Sequence, residues 1–208
     1  MEKKRMLIYT LFTTSLVIAN VVTGKILQIG PFTVPGAVLL YAITFLCTDL
    51  VSELYGKKES QKLVIAGFIC SLFATTMILL TQHLPSALFA MDKQEAYVTL
   101  LGTNFKFVFA SMAAYSVSQS WDVWMFHKMG KLTGGKHKWI RNNVSTMTSQ
   151  LFDTAIFITI AFAGQVPNLL WMIVSQYIIK LIIAALDTPF FYLFTKNVTQ
   201  KEFIKGTK

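Results

Sequence analysis

Long apolar stretches separated by polar connections dominate the hydropathy pattern of this chain. One helical span of a membrane needs about 20 mostly apolar residues, and six stretches meet that length. They run over residues 6–24, 34–53, 63–82, 104–126, 144–163 and 169–194. The pattern therefore predicts an all-α polytopic membrane protein, in which residues 1–208 form a single six-helix transmembrane domain.

The connections between the stretches are short except for residues 83–103 and 127–143. Neither is long enough for a separate soluble domain, since domains typically have about 50 residues or more. The amphipathic character of 83–103 is compatible with a short helix at the membrane surface or with an ordinary packed loop. Before the second stretch, Pro35 fits the first turn of a helix, where proline is tolerated and marks a helix start.

The composition agrees with a membrane protein, because 54% of the 208 residues are hydrophobic and only 14% are charged. A net charge of +9 could indicate a nucleic-acid partner, but the basic residues are distributed unevenly. Fifteen of the 19 Lys and Arg residues lie before the first stretch, after the sixth, and in the second and fourth connections. The positive-inside rule places these segments in the cytoplasm. Both termini are thus predicted to be cytoplasmic, and no nucleic-acid partner is expected.

Two patterns that would indicate a bound cofactor or metal are incomplete. The segment GKLTGGKH, residues 130–137, has phosphate-loop spacing, but His137 stands where that motif needs Ser or Thr. His83, His127 and His137 lie at or beyond the ends of spans, and none has a second ligand four residues away. We therefore expect no cofactor and no metal.

Charged side chains occur inside the apolar stretches, where each one is costly and usually faces a cavity or a partner. Depth can be counted from the cytoplasmic ends at about 1.5 Å per residue. Asp49, Asp122 and Asp187 then fall in the cytoplasmic third of the membrane, and Asp153 and Lys180 fall nearer the midplane. The charged residues are Asp49 and Glu53 in the second stretch, Asp122 in the fourth, Asp153 in the fifth, and Lys180 and Asp187 in the sixth. Such a set indicates a functional site within the membrane.

Two segments repeat the same polar order, SQSWD in the fourth stretch and SQLFD in the fifth. Each places an amide and a carboxylate three residues apart, and therefore on one helix face. The sixth stretch places an amide and an ammonium four residues apart in SQYIIK. The pairs are Gln119 with Asp122, Gln150 with Asp153, and Gln176 with Lys180.

These side chains suit a flat heterocycle that carries hydrogen-bond donors and acceptors. Carboxylates accept from ring N–H and amino groups, amides pair with a ring carbonyl, and aromatic rings stack on the ring faces. The candidate stacking residues are Trp121, Trp124, Phe152 and Tyr177. In the alternative interpretation the polar groups satisfy one another, with Asp153 paired to Lys180, Asp122 paired to Arg141, and the glutamines joining helices.

The segment FLCTDLVSELYGKK, residues 45–58, resembles the Thr-Asp and Glu-x-Tyr-Gly signature of the queuosine precursor transporter family, also called the vitamin uptake transporter family. The likeness continues through the Gln-x-x-Asp of the fourth stretch, RNNVSTMTSQLFDT at 141–154 and KLIIAALDTPFFY at 180–192. IANVVTGKI, with Asn20 and Lys25, fits it as well. The resemblance covers nearly the whole chain in order.

The resemblance implies a multi-pass protein of the bacterial inner membrane that is not an enzyme. It implies uptake of 7-deazaguanine precursors, such as 7-cyano-7-deazaguanine, for making the tRNA nucleoside queuosine. The expected partners are this small-molecule substrate and the lipid bilayer, and a homodimer is compatible with the sequence. The expected substrate-binding residues are Asn20, Lys25, Asp49, Glu53, Gln119, Trp121, Asp122, Gln150, Asp153, Gln176, Lys180 and Asp187.

Two other functions fit parts of the pattern. The chain has the size of a substrate-binding membrane subunit that depends on a separate ATPase motor. It could also be an intramembrane aspartyl hydrolase that uses Asp122 and Asp153. A shared-proton dyad needs its carboxylates about 3 Å apart, whereas the predicted depths of these two differ by about 10 Å.

Overall fold

The computed structural model describes the backbone over residues 2–132 and 138–195. It describes the side chains of those ranges except at positions 2, 42, 53, 57, 123, 126, 127, 130, 138–143 and 184–195. All structural statements below concern this described part of the chain.

Six long helices correspond to the six apolar stretches, so the prediction of a mainly helical fold is confirmed. By length and composition, Lys3–Val22 and Lys58–His83 qualify as candidate membrane spans, and Val38–Ser52 and Leu169–Ile183 are shorter apolar helical segments among the described residues. The elements in chain order are α1 Glu2–Val22, β1 Ile26–Ile29, β2 Phe32–Pro35, α2 Val38–Tyr55, α3 Lys57–His83, a 3-10 turn Leu88–Ala90, α4 Met91–Leu101, α5 Asn104–Leu132, α6 Lys138–Phe162 and α7 Leu169–Thr195.

A small β-hairpin connects α1 to α2, so the fold is not purely α-helical. Strands β1 and β2 pair antiparallel, with Ile26 opposite Pro35 and Ile29 opposite Phe32. Pro35 ends β2, and α2 begins three residues later at Val38. The prediction of a helix from residue 34 was therefore wrong at its start.

The hairpin is held by its own side chains and by α7. Gln28 Nε2 donates to the Gly30 carbonyl at 2.7 Å, and Thr33 Oγ1 donates to Gln28 Oε1 at 2.9 Å. Gly30 has φ of 58°, which favours glycine in this turn. Trp171 Nε1 donates to the Pro31 carbonyl at 3.1 Å. The hairpin is thus attached to the first turn of α7.

Gly36 allows the chain to turn tightly from β2 into α2. Its N–H donates to the Lys25 carbonyl at 2.7 Å. A Cβ at this position would lie 2.6 Å from the Val22 carbonyl oxygen and 3.2 Å from that of Lys25. Both neighbours are backbone atoms at the end of α1, so they cannot move aside as a flexible side chain can.

Gly36→Ala is therefore expected to lower stability by about 1–3 kcal/mol, as overpacking typically does. Gly24→Ala is the matched control, because a Cβ there meets only the Phe107 ring, at 3.5 Å. Thermal unfolding in detergent checks this, with a lower melting temperature for Gly36→Ala alone. Equal melting temperatures for the two variants would contradict the described turn.

The long helices form two groups with separate hydrophobic cores. Helices α1, α2 and α3 pack around Phe12, Cys47, Val51 and Leu63. Helices α5 and α6, with the start of α7, pack around a second set of buried residues, and α7 also packs against α2. The second core consists of Phe107, Ala110, Ala114, Phe157, Ile158, Ala161, Phe162 and Met172. The surface between the two groups is where the candidate site lies.

The N-terminal ends of α1 and α3 meet in a charged cluster. Glu59 pairs with Arg5, and its other carboxylate oxygen accepts from Lys62 Nζ at 2.6 Å. The Arg5 guanidinium also lies 5.5 Å from the ring centroids of Tyr9 and Tyr55. This cluster joins the ends of α1, α2 and α3 on the side that the positive-inside rule assigns to the cytoplasm.

The connection 83–103 forms a helix rather than a loop without secondary structure. It contains the 3-10 turn and α4, and α4 has no buried residue. Tyr97 and Thr81 share a hydrogen bond of 2.6 Å, and Gln94 Nε2 donates to the Gln82 carbonyl at 3.1 Å. Of the two alternatives that its amphipathic sequence allowed, this connection takes the helical one.

Candidate functional site

A cavity of about 400 Å³ lies between the two helix groups. Its volume falls within the range of about 300–1,000 Å³ that is typical of small-molecule sites. One wall comes from α1, α2 and α3, and the other comes from α5, α6 and α7. The polar lining side chains are Thr44, Thr48, Asp49, Ser52, Ser60, Gln61, Ser111, Tyr115, Ser118, Gln119, Asp122, Thr146, Ser149, Gln150, Asp153, Lys180 and Tyr41.

Helical periodicity explains why these side chains share one cavity. Residues three, four, seven or eight apart lie on one face of a helix. The lining residues of α5 follow that spacing from Ser111 through Tyr115 and Ser118 to Asp122, and those of α6 follow it from Thr146 to Asp153. A polar stripe on each otherwise apolar helix therefore faces the cavity.

An ion pair joins the buried Lys180 to Asp153, whose side chain is 26% exposed. Lys180 Nζ lies 2.8 Å from Asp153 Oδ2, and Lys180 is only 4% exposed. The ammonium also lies 5.1 Å from the Tyr41 ring centroid and 6.0 Å from that of Phe45, distances at which cation–π attraction operates. The pairing of Asp153 with Lys180, which the alternative interpretation predicted, is present, and the charge on Lys180 is compensated within the protein.

Two glutamines near this pair carry buried polar atoms without a hydrogen-bond partner among the described residues. They are Gln150, through Oε1, and Gln176, through both Oε1 and Nε2. A buried polar group without a partner costs about 1–3 kcal/mol, so most such groups in proteins are paired. Gln150 lines the cavity, so its unpaired Oε1 is available to a ligand there.

Asp122 has a partner of its own, distinct from that of Asp153. Ser149 Oγ donates to Asp122 Oδ1 at 3.3 Å and approaches the Thr146 carbonyl at 3.0 Å. The Arg141 side chain, the expected partner of Asp122, lies outside the described residues. Since Asp153 forms an ion pair with Lys180, the two carboxylates do not have the arrangement of a shared-proton dyad.

The structure brings six of the twelve expected site residues together in the cavity lining: Asp49, Gln119, Asp122, Gln150, Asp153 and Lys180. Asn20 is instead buried between helices, where its Nδ2 donates to Ser71 Oγ at 3.3 Å. Lys25 is exposed just before the hairpin. Gln176 lies beside the cavity without lining it. The side chains of Glu53 and Asp187 lie outside the described part of the structure. Residues 133–137 of the GKLTGGKH segment lie outside it as well.

The aromatic residues expected to stack on a ligand lie elsewhere in the described structure. Trp121 Nε1 donates to Thr148 Oγ1 at 3.1 Å, and its ring packs on Trp124 and Phe152 at centroid distances of 5.0 and 4.4 Å. Tyr177 donates to the Met147 carbonyl at 3.2 Å. None of these four residues lines the described cavity.

Other aromatic residues line the cavity, and the sequence reasoning missed them. They are Phe12, Tyr41, Phe45, Phe68 and Tyr115. Tyr41 and Phe45 stack with centroids 6.0 Å apart and an interplanar angle of 22°. Tyr41 lies eight residues before Asp49 and Phe45 lies four before it, so all three share one face of α2. The helical spacing from Asp49 could therefore have predicted both rings from the sequence.

Comparisons with known proteins agree over most of the chain. Residues 35–194 match the family described as "Putative vitamin uptake transporter". A Bacillus subtilis (strain 168) protein named "Probable queuosine precursor transporter" is 30% identical over 189 residues, which cover 89% of this chain and 82% of that protein. A Haemophilus influenzae protein of the same name is 28% identical over 127 residues, which cover 60% of this chain and 50% of that protein. No solved structure matches the chain.

The family match spans the second to the seventh helix and includes all the lining residues from α2, α3, α5, α6 and α7. The match to the Bacillus subtilis protein extends over most of both chains. This chain belongs to the vitamin uptake transporter family.

Proposed function

We propose that this protein is an uptake transporter for queuosine precursors, either 7-cyano-7-deazaguanine or a related 7-deazapurine. The names of both relatives support this substrate class. The observation that carries the proposal is the cavity itself, which combines unpaired hydrogen-bonding groups, an ion pair and stacked aromatic rings in one place. A flat, polar heterocycle needs these three features together.

Each part of such a ring has a counterpart in the cavity. Gln150 Oε1 and the carboxylate of Asp153 can accept from ring N–H and amino groups, and the Lys180 ammonium can donate to a ring carbonyl. The stacked rings of Tyr41 and Phe45 offer an apolar surface against which a planar ligand can lie. A neutral ring can bind here without leaving an uncompensated charge.

In the proposed topology, six helices cross the bacterial inner membrane and both termini are cytoplasmic. The basic cluster of Arg5 and Lys62 at the N-terminal ends of α1 and α3 supports this orientation. The polar cavity lining continues to Ser60 and Gln61, close to the start of α3. The cavity therefore extends toward the cytoplasmic side, and Tyr41 lies at its opposite end.

Direct binding to the purified protein tests the proposed substrate. Isothermal titration with 7-cyano-7-deazaguanine and 7-deazaguanine should give saturable binding, while adenine should give none, because its amino group would face the Lys180 ammonium. The proposal would be overturned if adenine bound as tightly as the deazaguanines, or if none of these compounds bound.

Uptake by the purified protein alone in liposomes tests whether the chain is a complete transporter. Labelled precursor should accumulate without any ATPase in the preparation. Binding without uptake, with uptake restored by an added ATPase partner, would show that the chain is a substrate-binding subunit instead.

A further inference from the structure

We propose that Gln150 selects the transported ring by its exocyclic amino group, so that an otherwise identical ring without this group binds less tightly. The amino group lies next to a ring N–H, and the two present adjacent hydrogen-bond donors. This inference rests on the proposed function, because it assigns that edge of the ring to named side chains. It makes Gln150 a specificity-determining residue beside the Asp153–Lys180 pair.

The first observation is an acceptor oxygen at the cavity wall that has no donor. Gln150 lines the cavity, and its Oε1 is buried without a hydrogen-bond partner among the described residues. The backbone carbonyl of the same residue does have a partner, since it accepts from Thr154 Oγ1 at 2.8 Å. A buried acceptor that lacks a donor costs free energy, and a ligand donor in the cavity would remove that cost.

A structural role between helices does not explain this oxygen. Asn20 Nδ2 donates to Ser71 Oγ at 3.3 Å and thereby joins α1 to α3. Thr75 Oγ1 donates to Asn104 Oδ1 at 2.5 Å and joins α3 to α5. Gln150 Oε1 forms no such link with the described residues of any helix. It also differs from both asparagines in lining the cavity, where a ligand can supply the missing donor.

The second observation concerns the two oxygens of the neighbouring carboxylate. The Lys180 ammonium holds Asp153 Oδ2 at 2.8 Å, and no described residue donates a hydrogen bond to Oδ1. Asp153 follows Gln150 by three residues, so the two are neighbours on one face of α6, and both line the cavity. This part of the wall therefore combines two adjacent acceptors with a cationic donor that contacts one of them.

The order acceptor, acceptor, donor is complementary to an amino group, a ring N–H and a carbonyl in sequence along one ring edge. In this arrangement Lys180 donates to the carbonyl and Asp153 Oδ1 accepts the ring N–H. Because Oδ2 already holds the ammonium, the amino group is left to Gln150 Oε1. A ring with hydrogen in place of the amino group leaves that oxygen unpaired, and sites built to hydrogen-bond a substrate group discriminate against analogues that lack it.

The closing experiment compares 7-deazaguanine with 7-deazahypoxanthine, which has hydrogen in place of the exocyclic amino group. In isothermal titration the wild-type protein should bind 7-deazaguanine about tenfold to a hundredfold more tightly, the effect expected of one buried hydrogen bond. In Gln150→Met the affinity for 7-deazaguanine should fall to that for 7-deazahypoxanthine, which should itself be unchanged. Gln82→Met is the matched control that keeps the preference, because Gln82 also has a buried unpaired oxygen but does not line the cavity.

A second variant makes the test independent of whether Gln150→Met folds. Gln150→Glu loses the amide N–H₂ but keeps an acceptor oxygen in either protonation state, so it should retain the preference for 7-deazaguanine. Equal wild-type binding of the two compounds, an undiminished preference in folded Gln150→Met, or loss of the preference in Gln150→Glu would overturn this inference and leave the proposed function standing. Failure of the wild type to bind either compound would overturn the proposed function itself.

Discussion

Asp153→Asn is expected to abolish uptake and to destabilise the protein, because it leaves the Lys180 ammonium buried without its counter-charge. Lys180 is 4% exposed and lies 2.8 Å from the carboxylate. Removing one member of a fully buried ion pair typically costs about 3–5 kcal/mol, and the 26% exposure of Asp153 places the expected loss at or below the lower end of that range. The double variant Asp153→Asn/Lys180→Met removes both charges, so it should recover most of the stability and none of the uptake. Thermal unfolding in detergent and uptake in liposomes measure the two effects.

Glu59→Gln provides the control for this pair of variants. It breaks the Arg5–Glu59–Lys62 cluster, in which Arg5 and Lys62 are well exposed. Exposed ion pairs contribute about 0–1 kcal/mol, so the melting temperature should change little. If Asp153→Asn and the double variant melted at the same temperature, the ion pair would not be the source of the stabilisation.

Ser111→Phe is expected to eliminate substrate binding, because the added ring would occupy the cavity. Ser111 lines the cavity on α5, whereas Ser116 on the same helix is exposed and donates its hydroxyl to the Met112 carbonyl. Ser116→Phe is therefore the matched control, because it adds the same ring on an exposed face of the helix about 140° away. We expect an affinity loss greater than about tenfold for Ser111→Phe and none for Ser116→Phe, since a ligand pocket buries most of its ligand.

Melting temperatures and titrations on both serine variants complete this test. A folded Ser111→Phe variant with wild-type affinity would show that the substrate does not bind in this cavity. A similar loss of affinity in both variants would point to a general effect of a large residue on α5, not to blocking of the site.

Hydropathy alone located the long helices because each contains a long run of mostly apolar residues. It underestimated three of them by six residues. Helix α3 begins at Lys57, α5 continues to Leu132 and α6 begins at Lys138, whereas the predicted bounds were 63, 126 and 144. Those extensions are polar, and a helix can continue through polar residues after its apolar run has ended. Average hydropathy therefore cannot show where such a helix ends.

The hairpin was not predicted because its strands have only four residues each. Its apolar composition raised the average hydropathy before α2, and this extended the predicted span back to residue 34. The β-branched residues around a Gly-Pro pair, in ILQIGPFTVP, favour two short strands and a turn. Local composition, rather than hydropathy, carried the signal here.

The charges of the site were more predictable than its aromatic residues. A lysine inside the membrane needs a counter-charge at similar depth, and this condition selected Asp153 for Lys180. An aromatic side chain does not need a partner of opposite charge, so the sequence does not show which helix face it occupies. Its position depends on how the helices pack. Trp121 directly precedes Asp122, and adjacent residues point about 100° apart on a helix, which agrees with its position away from the cavity.

The Asp153–Lys180 pair also has an electrical consequence. Moving one elementary charge through a membrane potential of 100 mV involves about 2.3 kcal/mol. A carboxylate and an ammonium 2.8 Å apart carry no net charge, so helices that move with the intact pair do almost no net work against the potential. In the proposed transport of a neutral ring, the pair would allow the buried lysine to take part without making each cycle depend on membrane voltage.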